Sequence, residues 1–361
     1  MRHMRSALIT ICCVVPSLLA CRASAAEPGP DQRIVIAVTR AAERPPTTAV
    51  SLLDPRSGAV SELYRDPKEG RRILGKIGGS DVLGAVRMIP PGDIFAVVGP
   101  AVAESSTSLD DISLLLTFEA GRKAEWEQLA QIPLCFSEAS PYGMWNRAPL
   151  LAISPDRSRV AITALRAGEI ALAAPAIRVL TMYGAEEWQM PLPGKAFRVV
   201  DLAWSPDSSH LAYAVLPLGD EHTLDESLLP QAGVYLADVP ARTALLLHHC
   251  YPAALAWAPK ADHISIAVQP DVWSWAAVVR TISFPAGKRL QEFSVPGSAE
   301  AIAYSDDGRW LAVQLAEAGA QTVQIRAAAG GWGHSIYRLA ASDGRLALLG
   351  WVQIPEGRTD H

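Results

Sequence analysis

The chain has 361 residues, 50% of them apolar, and a formal charge of −5 from 32 basic and 37 acidic side chains. That apolar share suffices for one large core, and a mild acidity spread along the chain with no basic stripe excludes a nucleic-acid-binding protein.

Residues 1–25 read as an export signal. Arg2 and Arg5 give a basic start, and Ala7 to Ala20 form an apolar stretch too short to span a bilayer stably. Two processing schemes fit. Leu18-Leu19-Ala20-Cys21 resembles a bacterial lipobox, which would make 1–20 the signal, Cys21 the lipidated first mature residue and 21–32 a tether. Alternatively, Ala23-Ser24-Ala25 is an A-x-A site that would release a soluble protein. The first scheme is preferred.

From residue 33 the elements are short apolar strands joined by tight turns. Arg33 to Val38 reads as a second strand of a unit with no first strand before it, and Asp54-Pro55-Arg56-Ser57-Gly58 as a turn between a third and a fourth. Then a pattern recurs, an apolar strand ending in a proline or aspartate turn and followed by another apolar strand. Its copies are Met88-Ile89-Pro90-Pro91-Gly92-Asp93, Leu151-Ala152-Ile153-Ser154-Pro155-Asp156, Leu202-Ala203-Trp204-Ser205-Pro206-Asp207, Leu255-Ala256-Trp257-Ala258-Pro259-Lys260, Ile302-Ala303-Tyr304-Ser305-Asp306-Asp307 and the half copy Ile354-Pro355-Glu356-Gly357-Arg358. Successive copies are 65, 51, 53, 47 and 49 residues apart. A blade of four strands needs roughly 40–50 residues, so the repeat predicts a propeller and excludes a helical solenoid. In the fourth unit the four strands a to d fall at Val200–Ser205, Leu211–Leu216, Gly233–Asp238 and Thr243–His248. Further turns between strands c and d fall at Glu119–Arg122, Val239–Arg242 and Pro285–Lys288. The split copy predicts closure, with strand a from 346–354 pairing with strands b to d from 33–64. The expected fold is an all-β, six-bladed propeller over 33–361, with seven blades as the alternative.

At its turns the chain resembles the TolB-type WD-like β-propeller repeat of bacterial envelope proteins, whose signature is Ser-Pro-Asp-Gly followed by an apolar strand. Ser154-Pro155-Asp156, Ser205-Pro206-Asp207 and Asp307-Gly308-Arg309-Trp310-Leu311-Ala312 carry the resemblance; Lys260 replaces the aspartate in one copy, and the copies at Pro90 and Pro355 are degenerate. TolB also carries an N-terminal α/β domain that has no counterpart in this sequence. The resemblance implies a fold rather than a chemistry, since such propellers serve as scaffolds, hydrolases and lyases.

Loop parity points to a working face. The a–b and c–d turns share one face and are short, whereas the b–c and d–a connections on the other hold the insertions at 65–80, 99–110, 131–148, 165–175, 217–232 and 269–277. That face carries a basic loop (Arg65, Lys68, Arg71, Arg72, Lys76), an acidic one (Asp220, Glu221, Asp225, Glu226) and the aromatics Tyr142, Trp145, Trp273 and Trp275. Arginine and aromatic residues together suit a protein or peptide interface. Trp204, Trp257 and Tyr304 occupy equivalent positions and read as blade packing. Arg87 stands where other units have alanine and is a candidate channel residue. Cys135 and Cys250 are a candidate disulfide, Cys21 being reserved for lipid.

No G-x-S-x-G elbow and no glycine-rich phosphate loop is present, and His248-His249-Cys250 lacks a second pair at zinc spacing. Alternation also aims His248 and His249 apart. No catalytic residue, metal or cofactor is therefore assigned. The expectation is an exported, monomeric, non-catalytic scaffold that binds an envelope protein or peptide and touches the membrane only through an N-terminal lipid. The alternative is a small-ligand or carbohydrate binder, or a metal-dependent enzyme of lactonase or lyase type, working at the channel mouth.

Overall fold

The computed structural model describes residues 27–40, 47–65, 86–89, 93–98, 112–119, 127–133, 150–163, 176–181, 185–194, 196–218, 224–331 and 333–354. The strands begin with β1 (Gln32–Arg40), β2 (Thr47–Leu53) and β3 (Val60–Arg65). Next come β4 (Val86–Ile89), β5 (Asp93–Val98), β6 (Ile112–Glu119) and β7 (Glu127–Pro133), then β8 (Leu151–Ile153), β9 (Arg159–Ile162), β10 (Ala176–Thr181) and β11 (Glu186–Pro191). The fourth group is β12 (Phe197–Trp204), β13 (His210–Pro217), β14 (Gly233–Asp238) and β15 (Thr243–His249), with a short 3-10 helix (Glu226–Gln231) between β13 and β14. The last are β16 (Tyr251–Trp257), β17 (His263–Gln269), β18 (Val278–Ser283) and β19 (Arg289–Ser294), then β20 (Ser298–Tyr304), β21 (Trp310–Glu317), β22 (Ala320–Ala327) and β23 (His334–Ala340), and finally β24 (Arg345–Gln353).

Among the described residues these strands form six four-stranded antiparallel sheets. Five consist of consecutive strands and one, β24-β1-β2-β3, joins the two ends of the chain. The first strands neighbour one another in the order β24, β4, β8, β12, β16, β20 and back to β24, the arrangement of a β-propeller. For β4–β7 the strand pairing is described; side chains are described in the other five sheets.

The repeat owes its shape to one turn. Ser154 Oγ donates to Asp156 Oδ1 (2.6 Å) and accepts from Arg159 N (2.9 Å). Ser205 does the same with Asp207 (2.5 Å) and His210 N (2.9 Å), and Ser305 with Asp307 (2.6 Å) and Trp310 N (2.9 Å). The fourth residue of each turn is left-handed: Arg157, Ser208, Ala261 and Gly308 have φ of 60°, 61°, 56° and 69°. Only the last is the glycine this conformation favours.

The core lies between sheets, not inside one. One buried cluster joins Trp204, Leu211 and Tyr213 to Ala161, Ile177 and Val179 of the sheet before. Another joins Val234 and Leu236 to Leu255 and Ile264, and a third joins Ala312 and Val323 to Ile34, Ile36 and Leu348 across the closure. Indoles add a directional link. Trp204 Nε1 donates to Ala152 O (3.0 Å), Trp257 Nε1 to Ala203 O (2.9 Å) and Trp351 Nε1 to Ala303 O (3.1 Å), each in the preceding sheet. Tyr304 reaches back to Ser265 Oγ at 2.6 Å. The packing role read for Trp204, Trp257 and Tyr304 is thus their observed one, extended by a hydrogen bond.

The ends meet through β24 and β1, in register from Gln32↔Gln353 to Thr39↔Arg345. This shifts the half copy read at Pro355. Ile34 pairs with Trp351 as Leu211 pairs with Trp204, so Trp351 takes the tryptophan position two residues earlier than the Pro355 alignment implies. The ladder then continues where the other units have already turned.

Candidate functional site

Two of the insertions on the b–c and d–a end fall in neighbouring blades and are described in whole or in part, at 218–232 and 270–277. The β21–β22 link on the same end is only 318–319, and Cys250 alone separates β15 from β16. The other long connections read from the sequence, at 65–80, 99–110, 131–148 and 165–175, fall largely outside the described residues.

Both insertions are held by the fold. In the first, Asp225 caps the short helix, accepting from Ser227 N at 2.9 Å, and its carboxyl is held below the usual range by Ser227. Tyr235 OH donates to Gln231 O (2.8 Å), and Tyr235 stacks on buried Tyr213 with ring centroids 5.3 Å apart. In the second, Asp271 Oδ1 accepts from Trp273 N (2.8 Å) and Ser274 N (2.7 Å), while Ser274 Oγ donates to Asp271 Oδ2 (2.7 Å). Ser274 and Trp273 hold its carboxyl low as well. Val272 packs on the core between the two blades, Ala276 is fully buried, and Ala276 O accepts from Ala299 N (2.7 Å). What remains outside is Trp273, 47% exposed, and Trp275, 76% exposed. An indole left so far in water on an immobilised turn is the kind of group that anchors a partner.

The other site residues read from the sequence fall as follows. Asp225 and Glu226 are exposed at the start of the helix. Arg65 ends β3. Lys68, Arg71, Arg72, Lys76, Tyr142, Trp145, Asp220, Glu221, Cys21 and Cys135 lie outside the described residues. Arg87 lies in β4 and pairs with Phe95, and its side chain lies outside the description. Cys250 is a free thiol, buried in the core between β12–β15 and β16–β19, and burial pushes it up to about 12. Such a thiol stays protonated and unreactive. His248 and His249 do point apart. His248 Nδ1 is 3.1 Å from Gly287 O and its Nε2 3.3 Å from Arg280 Nη1, whereas His249 Nε2 is 3.1 Å from Leu229 O. Burial and then Arg280 keep His248 below its ordinary range, hence neutral.

Two polar clasps escaped sequence reading. Asp201, buried, accepts from Leu202 N (3.0 Å) and, in the next blade, from Leu255 N (2.9 Å). Gln314 Nε2 donates to Glu300 Oε2 (2.7 Å) and Leu346 O (3.0 Å), its Oε1 accepts from Leu348 N (2.7 Å), and Gln321 Oε1 accepts from Leu346 N (2.7 Å). The only signal was a polar residue inside an apolar strand, as in Trp310-Leu311-Ala312-Val313-Gln314.

No family model and no curated protein matches the chain. Solved structures do. TolB from Acinetobacter baumannii is similar over 90% of this chain and 68% of its own, at 14% identity and a TM-score of 0.55. A chain of a nidogen/laminin complex is similar over 89% and 97%, at 10% identity and a TM-score of 0.55. Likeness at such low identity speaks for architecture alone, and with the sheet order above it makes this chain a β-propeller.

Proposed function

We propose that this chain is an exported, non-catalytic β-propeller of six blades that binds a protein or peptide partner in the bacterial cell envelope through its loop-bearing end. The observation that carries this reading is the fixed, solvent-facing Trp273–Trp275 turn, on the same end of the ring as the acidic helix start at Asp225 and Glu226. The six four-stranded sheets and the ring order of their first strands support the blade count. Residues 1–20 act as the signal, Cys21 carries lipid, 21–32 form the tether and 33–361 the propeller. The likeness to TolB, with the export-type N-terminus, supports a periplasmic address, and a propeller chain within the nidogen/laminin complex supports use of this fold in protein contacts. The partner face includes Arg65, Lys68, Arg71, Arg72, Tyr142, Trp145, Asp220 and Glu221, and Arg87 lines the channel.

Affinity capture from envelope extracts tests the reading. Wild type should retain a specific partner, and charge reversal at Arg71 and Arg72, or at Asp225 and Glu226, should release it. No partner, or one indifferent to both reversals, would refute it. Tight stoichiometric metal in the purified protein would favour an enzyme at the channel mouth instead.

A further inference from the structure

We propose that the sector formed by residues 224–232 and 270–277 is a docking site for a cationic, arginine- or lysine-rich peptide segment. This rests on the protein-binding reading above and names the chemistry of the partner.

Charge is the first argument. Its described residues 224–232 and 270–277 carry Asp225, Glu226 and Asp271 and no lysine or arginine. A sector of one sign on the same end of the ring attracts the opposite charge and suppresses acidic partners. Aromatic geometry is the second. Trp273 and Trp275 expose large indole surfaces, and an indole face is the best side-chain partner for a guanidinium or ammonium group. Continuity is the third. His249 Nε2 sits 3.1 Å from Leu229 O in the acidic insertion, and its ring lies edge-on to Tyr251 at 6.0 Å. Tyr251 in turn pairs with Gln269, two residues before Asp271. Ala232, at the end of the first insertion, and Val272, in the second, also pack in the same cluster between the two blades. Rigidity is the fourth: the caps at Asp225 and Asp271 and the burial of Val272 and Ala276 spare a ligand the entropy of ordering these loops.

The probe is a fluorescein-labelled octaarginine peptide, with octaglutamate and chitohexaose as competitors, read by anisotropy on the full mature protein at two salt concentrations. Wild type should bind octaarginine, with affinity falling as salt rises. The double variant W273A/W275A, which leaves net charge unchanged, should bind at least tenfold more weakly, and D225N/E226Q should lose a similar factor. W273F/W275F should recover part of the loss. Both indoles are exposed, so unchanged thermal unfolding of each variant serves as the folding control. Absence of octaarginine binding, indifference to W273A/W275A, or displacement by chitohexaose would overturn the proposal. A partner captured equally by wild type and W273A/W275A would sink this site while leaving the protein-binding reading intact.

Discussion

Asp306 should destabilise this protein at neutral pH, and Asp306→Asn should relieve it. In the other well-formed turns its position is held by Pro155, Pro206 and Pro259, which carry no charge. Asp306 is half-buried, and its carboxyl is raised to about 6 from 3.8 by burial, then by Asp307 and Asp31. A raised acid binds its proton more tightly in the folded than in the unfolded chain, so stability falls as pH climbs from about 4 through about 6 and is flat beyond. A shift of about two units corresponds to roughly 3 kcal/mol. Solvent reaches part of this carboxyl and screens it, so about 1–2 kcal/mol is the expected effect. Urea unfolding at pH 7.5 should show Asp306→Asn more stable than wild type by that amount, and at pH 4 the two should nearly coincide. Equal offsets at both pH values, or a less stable variant at pH 7.5, would refute the reasoning. The site matters beyond its own turn because Asp31 immediately precedes β1 of the closing strand pair. Its carbonyl accepts from Ile354 N at 2.8 Å and its carboxylate from the Gln353 side chain.

Two further substitutions test how the blades are joined and turned. Trp257→Phe keeps most of the packing but removes the Nε1–H to Ala203 O bond and leaves that carbonyl short of a donor, so thermal unfolding should report a loss of about 1–2 kcal/mol. A loss below a few tenths would mean the indole acts by packing alone. Gly308→Ala places a Cβ at φ +69°, 3.3 Å from Pro259 Cδ of the preceding unit. It should cost about 1–2 kcal/mol in urea unfolding; a neutral result would show that the turn relaxes as freely as those at Arg157, Ser208 and Ala261.

The propeller was legible in the sequence because its cause is local and repeated. A serine or aspartate turn at fixed distance from two apolar strands needs no distant information, and the strands expected at 200–205, 211–216, 233–238 and 243–248 lie on β12 to β15 with ends shifted by at most three residues. Closure was legible for the same reason, as half a unit at each end. Register at the closure was not, because Pro355 looked like the repeat proline whereas pairing is decided by which apolar face of β24 meets β20 and β1. That face is Leu346, Leu348 and Trp351, which a one-residue slip would turn away from the core. The clasps at Asp201 and Gln314 are non-local in the same sense, each side chain serving a backbone donor in the next blade, 54 and 34 residues on. At the candidate site, the sequence offered the tryptophans and acids as residue types. It could not say that Asp271 ties down the turn that holds Trp273 and Trp275 in water.

Closure by β24 and β1 carries a burden that the other blades do not share. Elsewhere strands a and b are joined by a short turn, so their pairing closes a small loop. Here the loop would run through almost the whole ring, and the (3/2)RT ln n dependence makes that costlier by roughly 3–4 kcal/mol if the chain closed as a free loop. The structure concentrates extra bonds at this seam. Val352 and Gln353 extend the ladder to Arg33 and Gln32, and Ile354 N reaches Asp31 O. Gln314 and Gln321 take up the amides of Leu346 and Leu348 from the neighbouring blade. At about 0.5–1.5 kcal/mol each, a handful of such bonds is the right size to offset the longer loop. Their placement explains why polar side chains are tolerated in β21 and β22, where burial alone would favour aliphatic ones.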